Sequence, residues 1–209
     1  MASTLFRYMP AVMYRGLGAP NIMQRLRLPE AVINNALLFH KYVVVDGDRP
    51  DTIASHYYGS PLYDWVVALS NQMTDVYSEW PLTQQELDDV IAAEYGSTSA
   101  ASATIDHYKL KRNIDQINEV QFDALPASLK KYWTKVSVTS DAFYNVRPSD
   151  ITITPASYAD LPVGENVYWE PVTAYDRFFE ENEAKRAIKL IDAQAVPELE
   201  KALRLASNV

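Results

Sequence analysis

Three histidines, His40, His56 and His107, are the side chains of this sequence best suited to acid-base or metal chemistry near neutral pH. None has a second imidazole four residues away, the spacing that presents two rings to one metal from a helix face, so each reads as an ordinary core or surface histidine. Asp46, Asp48 and Asp51 gather oxygen donors, but the remaining ligands and closing glutamate of a calcium loop are missing, and turn or helix-cap duty explains them better. Glu180, Glu181 and Glu183 fall on a charged stretch without the apolar shielding that tunes a carboxylate for proton transfer. Gly16-Leu17-Gly18 lacks the third glycine and the preceding strand of a dinucleotide fingerprint. The sequence also has no Gly-Lys-Ser/Thr phosphate loop, no Gly-x-Ser-x-Gly elbow and no cysteine, so thiolate chemistry and disulfides are excluded. Tyr57, Tyr58, Tyr63, Trp65, Tyr77 and Trp80 could form a sugar-stacking platform, although helical spacing makes them better candidates for core or protein interface. No catalytic, cofactor-binding or metal-ligating residue is assigned, and the chain does not read as an enzyme.

The elements that must carry these residues are legible in the centre of the chain. Tyr42-Val43-Val44-Val45 is a β-branched run that stops at Asp46-Gly47-Asp48, a turn signal. Pro50 suits a first helical turn, Ile53, Ala54, Tyr57 and Tyr58 recur at helical spacing, and Gly59 ends the segment. Ser60 and Pro61 open a second helix whose Leu62, Trp65, Val66 and Leu69 share one face. Thr83 and Glu86 form a capping box for a third, with an apolar stripe of Leu87, Val90, Ile91 and Tyr95 and a stop at Gly96. These patterns predict an α+β core over residues 41–96 with Trp65 buried and a second strand too weakly marked to place.

The flanks read differently. Residues 1–40 are apolar yet broken by Pro10, Pro20 and Pro29, so they predict an extended arm that needs burial against something else. Residues 97–104, STSAASAT, read as a loop and boundary; 97–172 as a mixed linker with a helix near Ser128–Lys135 and β runs at Val136–Val138, Ile151–Ile153 and Val167–Trp169. The tail, 173–209, reads as mostly helical, with Pro197 opening a last helix whose Leu199, Ala202, Leu203 and Ala206 make an unpartnered apolar face.

Charge sharpens the division. The net charge of −8 argues against nucleic acid, whose phosphates would be repelled, and no apolar run is long enough to span a membrane. Residues 1–40 nevertheless hold four Arg and one Glu, whereas 41–96 hold two basic and ten acidic side chains. A basic arm beside an acidic core permits attraction within one chain or between copies.

The run YVVVDGDRPDTIASHYYG resembles the opening of a LysM module, in which a strand leads into Gly47-Asp48 and Ile53-Ala54 follow on the first helix. Together with SPLYDWVVALSNQ, EWPLTQQELDDVIAAEYG and IDHY, it is similar to the baseplate wedge protein with a LysM-like domain of contractile-tailed, T4-type bacteriophages. The similarity takes in Phe6, Pro10 and Tyr14 of the arm, Asn21-Ile22 with Arg25, and Asn182-Glu183, Lys185-Arg186 and Ile188-Lys189 of the tail; residues 109–170 have no counterpart. It implies a virion structural protein, made in the host cytoplasm and placed in the tail baseplate. There it would join neighbouring wedges of a six-fold ring around the hub through contacts with wedge and hub subunits, without nucleic acid, membrane or cofactor. The expected protein interface is Phe6, Tyr8, Met9, Tyr14, Asn21, Ile22 and Arg25; the LysM-like core residues are Gly47, Asp48, Ile53, Ala54, Trp65 and Trp80. The alternative is a LysM-type peptidoglycan binder, which would use Gly47–Pro50 and Asn71–Asp75. A cell-wall hydrolase would need paired carboxylates or a metal site, of which the sequence offers no persuasive version.

Overall fold

The computed structural model describes residues 5–21, 26–28, 30–33, 35–111, 116–137, 142–146 and 151–207. Labelled in chain order, its elements begin with β1 (Ala11–Tyr14), β2 (Leu17–Pro20), β3 (Phe39–Val43), α1 (Pro50–Tyr58), α2 (Asp64–Ser70), α3 (Gln84–Tyr95) and α4 (Thr98–Ala103). They continue with β4 (Ile105–Leu110), β5 (Gln116–Asn118), β6 (Trp133–Ser137), β7 (Ala142–Val146), β8 (Thr152–Ile153) and β9 (Trp169–Thr173). The chain ends with α5 (Ala174–Lys185), β10 (Ala187–Ile191) and α6 (Val196–Ser207). Helices and small antiparallel sheets are interspersed, so the fold class is α+β. The chain divides into two compact units, Met1–Leu87 with Glu180–Val209, and Asp88–Phe179. That division differs from a core ending at residue 96.

In the first unit β3 pairs antiparallel with β10, with Lys41 opposite Lys189, and the ladder extends to the Val44 amide, which donates to the Arg186 carbonyl at 2.9 Å. The β-branched run alternates as a half-buried strand should: Val44 is buried while Val43 and Val45 are exposed. α1 starts with Pro50 in its first turn and stops at Gly59, whose φ of +75° is the left-handed cap that glycine adopts without strain. Ile53 and Ala54 of α1 and Val67 of α2 close over Val44, Ile188 and Leu190. Trp65 and Val66 face a second cluster made by Tyr8, Leu28, Ile191, Val196, Leu199 and Leu203. Trp65 is 6% exposed, in line with its expected burial. Leu62 is not on that face: Pro61–Tyr63 is a 3₁₀ turn, whose tighter winding leaves Leu62 exposed.

The tail, mostly helical through α5 and α6, also holds a strand: in Ala187–Ile191 the inward Ile188 and Leu190 alternate with outward Ala187 and Lys189, a period of two. Two expectations change. The last helix does have a partner, because its Leu199 and Leu203 are buried against Tyr8, Leu28 and Trp65 of the same chain. Residues 97–104 form α4 rather than a loop, since Ser97 accepts a hydrogen bond from the Ala100 amide at 3.1 Å and alanines, the best helix formers, follow.

The second unit holds two three-stranded antiparallel sheets, in the orders β8-β4-β9 and β5-β7-β6. The expected helix near Ser128–Lys135 shortens to a turn at Ala127–Lys130, and Trp133, Thr134 and Val136 make β6 instead, as aromatic and β-branched residues favour. Val138 lies outside the described residues. Stacked rings support these sheets: Tyr108 lies over Tyr158 at 3.6 Å and Phe122 over Tyr144 at 3.7 Å between centroids.

Candidate functional site

The N-terminal arm separates into an anchor and a ribbon. Leu5–Tyr8 is a single 3₁₀ turn that delivers Tyr8 into the core, where its ring is 5.2 Å from that of Trp65 and is 0% exposed. The Arg204 guanidinium lies 5.7 Å from the same ring. Tyr8 is therefore a core residue and not, as the sequence suggested, part of an outward interface. Its aromatic area is buried by α2 and α6 before any partner arrives.

Beyond Met9 the chain makes a hairpin. Val12 pairs with Ala19, Met13 with Gly18 and Tyr14 with Leu17, and the Asn21 amide donates to the Pro10 carbonyl at 2.7 Å to close its base. The two-residue connection places Arg15 at φ 50° and Gly16 at φ 81°, the paired left-handed conformations whose twist matches the strands. Side chains alternate, so Val12, Tyr14, Leu17 and Ala19 line one face and Ala11, Met13, Gly18 and Pro20 the other. Met13 is 76% exposed, Leu17 74% and Tyr14 63%, with the Arg15 guanidinium 5.4 Å from the Tyr14 ring. Of the other expected interface residues, Met9 and Asn21 are half-buried, and Phe6 belongs to the 3₁₀ turn by its backbone; Ile22 and Arg25 lie outside the described residues.

The loops that a sugar-binding module would use are engaged internally. Gly47 takes φ +86° in the turn after β3, and the Asp48 carboxylate accepts from the Val45 amide and the Tyr42 hydroxyl, both at 3.1 Å. Burial first, and then this carboxylate, push the Tyr42 phenol above its ordinary pKa. The Trp80 indole donates Nε1–H to the Asp48 carbonyl at 2.9 Å while packing, with Met73, on the cluster around Ile53. At the other loop Asn71 donates to the Val67 carbonyl at 2.8 Å and to the Lys189 carbonyl at 2.9 Å, and accepts from the Lys189 amide at 2.7 Å. Glu79 accepts from the amides of Thr74 and Asp75. The side chains of Asp48, Asn71, Glu79 and Trp80 around these loops are thus paired within the chain.

The tail residues that carried the sequence similarity form a polar latch. Asn182, 4% exposed, accepts from the Leu82 amide at 2.7 Å and donates to the Leu82 carbonyl at 3.0 Å. Lys185 donates to the Ser78 carbonyl, and Arg186 reaches Glu183, Asp46 and the Val44 carbonyl. Glu183 chiefly, with Asp46 and against a cost of burial, raises the guanidinium pKa and holds its charge. Spacing alone does not reveal this latch, because apart from Glu183 its partners are a hundred or more residues away.

In the second unit Asp106 accepts from Arg177 Nε at 2.9 Å and lies 2.8 Å from His107 Nδ1. The hydrogen bond to His107 most of all, and the charge of Arg177, hold the Asp106 carboxyl below the usual range against its partial burial. An open depression of about 520 Å³ is lined by Asp88, Thr98, Ser99, Ser102, Ala103 and Tyr175. Among the described residues no group of three or more His, Asp or Glu side chains converges on a metal position. No described helix is long and apolar enough to cross a membrane. A comparison with protein-family models gives no match, and neither does a comparison with curated protein sequences.

Proposed function

We propose that this chain is a structural subunit of a contractile-tail baseplate, without catalytic activity, that joins neighbouring wedges around the hub by protein-protein contacts. The observation that carries the reading is the hairpin: an anchored, conformationally preset ribbon whose Met13, Tyr14 and Leu17 lie in water. A two-stranded hairpin is marginally stable alone, so side chains of this kind gain their burial from another chain. The strand, two helices and antiparallel second strand of the first unit support the LysM-like reading of the core. The internal pairing of Asp48, Asn71 and Trp80 favours a scaffold over a glycan binder.

The test replaces Ala11–Pro20 with a short glycine linker, leaving Tyr8 in place, and mixes the purified full-length or altered chain with purified wedges for electron microscopy. Six-fold rings with the full-length chain and separate wedges with the altered one are expected. Rings with both would overturn the role of the hairpin, and cosedimentation of either form with peptidoglycan would instead support the LysM-type carbohydrate reading.

A further inference from the structure

We infer that β1 presents its outer edge to β1 of a second copy of this chain, joining two hairpins into one four-stranded antiparallel sheet. The register identifies the open edge. With a two-residue turn at Arg15-Gly16, the hydrogen-bonded pairs are Tyr14/Leu17 and Val12/Ala19, and the Asn21 to Pro10 bond continues that series. Ala11 and Met13 therefore turn their amides and carbonyls outward, and among the described residues β1 pairs with β2 alone. The opposite edge is poorer: Pro20 of β2 has no N–H to give.

Self-pairing about Val12 satisfies this edge. Ala11 of each copy faces Met13 of the other, giving about four new backbone hydrogen bonds, and Tyr14 lies across from Pro10 on a continuous apolar face. Charge supports the same occupant. In the antiparallel arrangement the two Arg15 side chains are ~20 Å apart, beyond a Debye length of about 8 Å, so they do not oppose pairing. Each hairpin tip instead points toward the body of the other copy, whose residues 41–87 and 180–209 hold thirteen carboxylates against seven cationic side chains. The inference does not rest on the baseplate reading, because it concerns the purified chain alone.

The experiment is sedimentation equilibrium of the full chain over a wide concentration range, with hydrogen exchange of the hairpin amides at both ends of that range. The expected result is a shift from one-chain to two-chain mass, with Ala11 and Met13 amides slowing as concentration rises. Met13→Pro removes an outward donor while sparing the bonds within the hairpin, and should raise the dimer dissociation constant at least about tenfold. Gly18→Pro, on the β2 edge, should leave it unchanged. A one-chain mass throughout, dimers indifferent to Met13→Pro, or equal loss with Gly18→Pro would each overturn the proposal. If Met13→Pro unfolds the hairpin, exposing the Val12 and Tyr14 amides, the concentration dependence of the wild-type Ala11 and Met13 amides decides alone.

Discussion

Tyr8 and Tyr14 are six residues apart in one arm, yet the first is wholly buried beside Trp65 and the second is 63% exposed on the hairpin. The arm thus combines two parts: a side chain that fastens it to the core and a ribbon whose apolar side chains stay in water. Apolar composition calls for burial but does not say whether the chain itself or a partner supplies it.

The largest effect should come from breaking the core on its distant side. Leu190→Asp places a carboxylate among Val44, Ile53, Ala54, Val67 and Ile188, and should cost more than about 4 kcal/mol, enough to abolish cooperative unfolding of the first unit by circular dichroism. A normal melting curve would show that β10 is dispensable to the core. Next, Tyr8→Ala should destabilise by about 3–5 kcal/mol in urea, whereas Tyr14→Ala should stay within about 0.5 kcal/mol. Equal effects would erase the distinction between anchor and ribbon.

Smaller changes refine it. Asn182→Ala leaves the Leu82 amide and carbonyl without their side-chain partner and should cost about 1–3 kcal/mol, with unfolding again the measure. In α1 the Tyr58 hydroxyl donates to the Ile191 carbonyl at 3.0 Å, and burial above all raises its pKa. The neutral phenol is favoured in the folded state, so its contribution is complete below the unfolded pKa near 10 and is lost as pH rises above it. Titrating stability from pH 8 to 11 should show an alkaline decline that Tyr58→Phe reduces; an identical decline in the variant would remove Tyr58 as its source. The smallest effect should be at the hairpin tip, where Arg15→Asn suits the left-handed position better. Exchange of the Val12 and Tyr14 amides should slow, with the melting temperature unmoved because the ribbon is not part of the core.

Local signals were legible where a residue acts on its near neighbours. Thr83 and Glu86 make the expected capping box, with the Thr83 amide donating to Glu86 at 2.9 Å, and Gly59 and Gly96 end their helices in left-handed conformations. The hairpin was hidden by Pro10 and Pro20, which break an arm pattern in sequence but stand together at the base of the ribbon in space, Pro20 opposite Ala11. The candidate interface was legible as a segment and not residue by residue, since nothing in the spacing distinguishes Tyr8 from Tyr14.

By itself the sequence determined the α+β class, the starts and stops of α1 and α3, the burial of Trp65, and the contrast between a basic arm and an acidic centre. Each rests on intrinsic propensity, on periodicity within a few turns or on summed charge, all of them properties of a short stretch of chain. Only the tertiary structure decided that β3 closes on β10 and that α6 covers Tyr8. It also decided that Asn71 is spent on Lys189 and Asn182 on Leu82, and which part of the arm stays in water. These pairings join residues a hundred or more positions apart, or, for the arm, depend on what the rest of the chain covers. A strand records its alternation of inward and outward residues but carries no mark of its partner.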